Sequence, residues 1–168
     1  VDAGREIMAQ ADCMDIHFDY IVVASGSGLT HAGLLAGLRA SGTPIPVIGI
    51  CVRRDSSTQN VRVKRRLQEI ISLAGLPTDS SSVDDVQTDD TWLGASYGLL
   101  TDQIVEAIHL AAQTEGLILD PVYTGKVMAG LIGMVRRGDF NKRDKVLFVH
   151  TGGAPALFGY EMLHKADT

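Results

Sequence analysis

The segment Ser25-Gly26-Ser27-Gly28-Leu29-Thr30 follows an apolar, β-branched run, Tyr20-Ile21-Val22-Val23-Ala24, and precedes residues with helical spacing. That context suits a phosphate cup. Glycines let the backbone bend tightly and approach an anion. The start of a helix offers free N–H donors and the positive end of its dipole, and Ser25, Ser27 and Thr30 add hydroxyls. A tight strand-to-helix turn with no ligand is the alternative. Two further segments carry chemistry of the same kind. Asp120-Pro121-Val122-Tyr123-Thr124-Gly125-Lys126 leaves a short apolar run, Leu117-Ile118-Leu119, and places Tyr123 at its mouth, where a phenol can stack on a ring or hold a proton. Thr151-Gly152-Gly153 leaves the last apolar run and offers a neutral hydroxyl beside two glycines.

The phosphate does not read clearly as a dinucleotide. The third glycine of that fingerprint would stand at His31, whereas the next glycine is Gly33. Arg53 and Arg54 occupy the place of the acidic ribose-binding residue, which leaves an NADP reading open. No Gly-Lys-Ser/Thr follows the first strand, so a Walker loop is excluded there. The pairs Arg53-Arg54, Arg65-Arg66 and Arg136-Arg137 read as solvated charge pairs.

These segments need a frame that gathers them. Helices are expected over 4–12, 30–39, 57–74, 101–114, 124–137 and 154–163. Strands are expected over 20–24, 46–52, 117–119 and 145–150, with Thr101 as an N-cap. Residues 78–100, with Ser80-Ser81-Ser82, Asp84, Asp85, Asp89, Asp90, Trp92 and Tyr97, read as a long functional loop. The alternation predicts an α/β fold, an open parallel sheet with helices on both faces. Ligands bind beyond the carboxyl ends of such strands, at the loops starting with Ser25, Arg53, Asp120 and Thr151.

The 168 residues, 45% hydrophobic and 21% charged, fit one globular domain rather than a disordered chain. A net charge of −5 argues against nucleic acid as a partner. No apolar run has membrane-span length, and no secretory signal is visible. Cys13 and Cys51 have no metal spacing and read as reduced thiols of a cytoplasmic protein. The chain begins at Val1, so a processed start and a domain cut from a longer protein both stay open.

Taken in order, Ser25 to Gly33, Tyr97-Gly98, Asp120 to Lys126 and His150 to Tyr160 resemble pyridoxal-phosphate enzymes of the tryptophan-synthase-β group. The D-cysteine desulfhydrase and 1-aminocyclopropane-1-carboxylate deaminase family is nearest. The resemblance implies a tryptophan-synthase-β-like sheet, here the large-domain portion, with pyridoxal 5′-phosphate as cofactor and a small amino acid as substrate. It implies a homodimer. It assigns the cofactor phosphate to Ser25, Gly26, Ser27, Gly28, Leu29 and Thr30, and the pyridine nitrogen to Thr151, with Gly152 beside it. Tyr123 and Tyr97 are implied to face cofactor and substrate. The deaminases usually carry Glu where this chain has Thr124 and Leu where it has Thr151, and the desulfhydrases carry threonine at both. The resemblance therefore points to the desulfhydrase side, with L-cysteate sulfo-lyases as near relatives.

One departure stands out. The family's cofactor-bearing lysine and its substrate-carboxylate region lie in an N-terminal half that nothing in these residues matches. Lys64, Lys126, Lys142, Lys145 and Lys165 read as surface lysines. The expectation is one α/β domain forming the C-terminal part of a longer enzyme, inactive by itself.

Overall fold

Strand β1 (Tyr20–Ser25) has Ile21, Val22, Val23 and Ala24 buried on both faces. Alternation sends Ile21 and Val23 to one side and Val22 and Ala24 to the other, so the strand needs helices above and below. The computed structural model, which describes residues 1–77 and 83–160, supplies both layers. Helices α2 (Leu29–Ala40) and α3 (Ser56–Leu73) cover the first side, and α1 (Asp2–Cys13) packs on α2. Helix α5 (Thr124–Arg137) covers the second, with α4 (Asp102–Glu115) packed against it.

The four strands run parallel in the order β3-β2-β1-β4, with β2 at Val47–Cys51, β3 at Gln87–Asp89 and β4 at Val146–Phe148. This is the expected α/β architecture, with two corrections. Leu117–Leu119 is not a strand. It approaches β4 through a side chain, His150 Nε2 lying 3.0 Å from Ile118 O. The strand missing from the sequence reading is β3, inside the stretch read as loop. Gln-Thr-Asp has no apolar pattern because β3 is an edge strand held by polar contacts. Ser56 N donates to Asp90 Oδ2 at 2.7 Å, and Thr88 Oγ1 donates to Asn60 Oδ1 at 3.0 Å.

Smaller differences follow packing. The apolar Val61 and Leu73 of α3 are exposed, whereas Gln59 and Val63 are buried. Leu110 is likewise exposed on α4, where Ala107 is buried. Thr101 caps α4 as expected, accepting from Ile104 N. The final helix is a 3-10 helix, Ala154–Gly159, rather than an α-helix, and its expected end at Leu163 lies outside the described residues, as do Ser80 to Ser82 and Lys165. No helix among the described residues is long and apolar enough to cross a membrane.

The α1–α2 crossing is close because Gly4 lacks a side chain. A Cβ there would stand 2.7 Å from Leu34 O and 3.0 Å from Leu38 N, both rigid backbone atoms. Gly4→Ala is expected to cost about 1–3 kcal/mol through overpacking, despite its better helix propensity. A urea midpoint at or above wild type would show that the two helices do not meet this way.

Candidate active site

The carboxyl ends of β1 and β2 turn into two loops that share a wall. After β1, Gly28 takes a left-handed φ of 86° and starts α2. Ala32 N donates to Gly28 O at 2.9 Å, and Leu29 N to Ser27 Oγ at 3.3 Å. The N–H groups of Gly26, Ser27, Gly28 and Thr30 have no acceptor among the described residues. They border a cavity of about 270 Å³ closed by Tyr123, Thr151, Gly152 and Gly153. Tyr97 lies next to it, its hydroxyl 2.6 Å from the Tyr123 hydroxyl. Tyr123 and Thr151 thus meet the glycine loop at one sheet edge, and Tyr97 joins them through that bond.

Ser25 and Leu29 stand apart from the other predicted positions. Neither lines the cavity. Leu29 is half-exposed, and Ser25 is fully buried behind the loop. Gln59 Nε2 donates to Ser25 Oγ at 2.9 Å and to Gly26 O at 3.2 Å. Ser25 Oγ lies 3.2 Å from His31 Nδ1, and His31 Nε2 lies 3.2 Å from Val47 O. A carbonyl only accepts, so His31 carries its proton on Nε2 and accepts from Ser25 at Nδ1. The chain Gln59–Ser25–His31–Val47 pins the loop to the sheet from inside. Gly49 makes room for it, since a methyl there would overlap the His31 ring.

The second wall depends on Asp120, a residue missed as functional in the sequence. It is fully buried. Its Oδ2 accepts from Val122 N at 2.9 Å and Tyr123 N at 2.8 Å, and its Oδ1 from Thr124 N at 2.7 Å and Thr124 Oγ1 at 2.8 Å. It therefore caps α5 and fixes Tyr123. An acidic side chain just ahead of a helix start is the signal that points to it, since the first-turn N–H groups lack helical partners. Gly153, at φ 94°, packs on the same carboxylate, where a Cβ would come within 2.9 Å of Asp120 Cγ. Lys126 is not a surface lysine. It is 1% exposed, and its Nζ donates to Leu93 O at 2.7 Å, tying α5 to the segment that carries Tyr97. Burial lowers its pKa.

A family model described as pyridoxal-phosphate dependent enzyme matches residues 1–152. The chain belongs to that family. It is 42% identical over 160 residues to a 1-aminocyclopropane-1-carboxylate deaminase of Pseudomonas syringae pv. syringae, covering 95% of this chain and 47% of that protein. It is 40% identical over 166 residues to a deaminase of the same name from Burkholderia multivorans, covering 97% and 48%. A crystal structure of an ACC deaminase homologue superposes with a TM-score of 0.76 at 36% identity, covering 88% of this chain and 43% of that one. The chain spans about half the length of the curated relatives it matches. Pyridoxal phosphate is the cofactor of this family, and the cavity fits it. Free backbone N–H groups suit a phosphate, and Thr151 offers a hydroxyl to a ring. A Cβ on Gly26 would crowd Val52 at 2.9 Å and the Tyr123 ring at 3.3 Å.

Two titrations check this geometry. Burial, partly offset by the bond to Val47, holds the His31 imidazole down at about 4. The unfolded chain protonates this ring near the ordinary value of about 6.5. The stability from keeping it neutral is therefore complete above about 6.5 and lost as the pH falls toward 4. From pH 7 to pH 5, wild type should lose about 2 kcal/mol more than His31→Gln, read from urea midpoints. Equal losses would place His31 outside the core. The hydrogen bond to Tyr97, followed by burial, pushes the Tyr123 phenol up to about 12. Tyr97→Phe should bring that ionisation back toward the ordinary value of about 10, seen in an alkaline ultraviolet titration. An unchanged curve would mean that the two hydroxyls are not bonded.

Proposed function

We propose that these residues form the cofactor-phosphate part of a longer pyridoxal-phosphate-dependent β-elimination lyase of the D-cysteine desulfhydrase type. Such an enzyme converts D-cysteine to pyruvate, hydrogen sulfide and ammonia. One observation carries the reading: the cavity offers a hydroxyl, Thr151, and no carboxylate lines it among the described residues. Thr124 is buried and committed to Asp120, so it cannot replace the glutamate that the resemblance places there in deaminases.

In this reading Gly26, Ser27, Gly28 and Thr30 hold the phosphate through their N–H groups. Ser25 supports that loop from behind, and Gly152 borders the cavity beside Thr151. Pyridoxal phosphate, when bound, withdraws electrons from the substrate Cα. A hydroxyl at the pyridine nitrogen leaves that atom uncharged, which suits prompt expulsion of a leaving group. Tyr123, protonated at neutral pH, holds a proton beside the substrate, and Tyr97 orients it. The two free cysteines, Cys13 exposed and Cys51 buried, suit a reducing cytoplasm. A homodimer follows the family pattern.

The names of the similar proteins favour a second reading, deamination of the cyclopropane amino acid. The full-length protein, given each substrate in turn, separates the two. Sulfide and pyruvate from D-cysteine are expected. Thr151→Val should slow that release about tenfold, the loss of one hydrogen bond, with the cofactor absorbance retained. These residues alone should release no sulfide. Ammonia from the cyclopropane substrate without sulfide from D-cysteine would overturn the elimination reading.

A further inference from the structure

The cavity bordered by the glycine loop is lined by no lysine, arginine or histidine among the described residues. A phosphate ester brings it about two negative charges at neutral pH. The nearest grouped cations lie on the other side of the loop. Arg53, Arg54 and Arg62 line a second cavity, about 290 Å³, which also touches Gly26 and Ser27. Arg5, Arg39, Arg65, Arg66, Arg136 and Arg137 each have a carboxylate within ion-pair distance. Arg53, Arg54 and Arg62 have none among the described residues. Repulsion within the group pulls the Arg62 pKa down, with Arg54 the largest cause.

Arg54 is the member that holds the glycine loop. Its Nη1 donates to Gly26 O at 3.2 Å. The expectation of a solvated Arg53-Arg54 pair therefore fails at Arg54, which is half-buried against main chain. Arg53 is exposed, its guanidinium carbon 5.7 Å from the Tyr97 ring centre. Gln59 Nε2 donates to the same Gly26 oxygen at 3.2 Å from the buried side. That amide already satisfies the carbonyl, so what Arg54 adds is charge. The Gly26 carbonyl and the Ser27 N–H belong to one trans peptide and point in opposite directions. With its oxygen turned to Arg54 and Gln59, the peptide turns the free Ser27 N–H away from both. A donor on a carbonyl polarises the peptide and strengthens its N–H in turn, and a charged donor does so most.

We infer that Arg54 is a positioning residue for the cofactor phosphate. Acting through the Gly26–Ser27 peptide, it fixes and polarises the Ser27 N–H and supplies the cup with positive charge from outside the cavity. The inference rests on the phosphate cup of the reading above and is independent of the leaving group.

The test titrates the full-length apoenzyme with pyridoxal phosphate and, separately, with pyridoxal, which lacks the phosphate. Arg54→Met should raise the dissociation constant for pyridoxal phosphate about tenfold, the loss of one hydrogen bond from a charged group, and leave that for pyridoxal unchanged. Arg54→Lys should restore part of the difference. Arg62→Gln should change it less, since Arg62 makes no hydrogen bond to the loop among the described residues. Pyridoxal reports the remainder of the site, so a variant that only disturbs the fold weakens both ligands. Equal weakening of both, or no change in either, would overturn the inference. So would an Arg62→Gln effect as large as that of Arg54→Met, which would make the effect one of general charge. Gly28→Val examines the cup by itself: pyridoxal phosphate held as tightly as in wild type would overturn the phosphate reading instead.

Discussion

The carboxylate of Asp120 is the contact on which both walls of the cavity depend. Buried and bonded to three successive N–H groups and one hydroxyl, it fixes the first turn of α5. Charge-assisted bonds of this kind contribute about 1.5–3 kcal/mol each. The backbone of Tyr123 is held by this carboxylate, and its hydroxyl by that of Tyr97. Gly153 rests on the same carboxylate, which brings Thr151 and Gly152 up to the opposite wall. Helix start, phenol and glycine turn are thus positioned by one group.

The glycine loop is held in a contrasting way. Gln59, Ser25, His31 and Val47 pass hydrogen bonds inward without a net charge. A protonated imidazole there would put an uncompensated cation in the core, at a cost of several kcal/mol. Burial prevents that. The positive end of the dipole at the start of α2 faces the cup instead.

The strands that form the sheet centre were readable because burial on both faces leaves an unbroken apolar run, as in Tyr20–Ala24 and Val47–Cys51. Helix α5 was readable to the residue, bounded by Asp-Pro before and Gly138 after. Strand β3 was not, since an edge strand of Gln-Thr-Asp carries no hydrophobic alternation. Leu117–Leu119 misled for the converse reason: three apolar residues suit a strand, but only a ladder partner makes one. Among the site residues, glycine-rich turns after strands announced Gly26 to Thr30 and Thr151 to Gly153. The inward orientation of Ser25, the burial of Lys126 and the grouping of Arg62 with Arg53 depend on contacts between distant segments, which no local pattern records.

The donors of the cup are main-chain amides, three of them on glycine or on a residue next to glycine. A binding surface made of backbone has a distinct evolutionary character. Its donors survive nearly every exchange of the side chains around it, because every residue except proline brings the same N–H. On the function proposed above, substitutions at Tyr97 and Thr151 can therefore accumulate and redirect chemistry while the backbone beneath them stays the same. What lineages cannot explore is the glycine at φ 86°, where almost any replacement meets the steric limits of an L-residue. On that reading, substrate choice drifts freely over a cofactor anchor that does not.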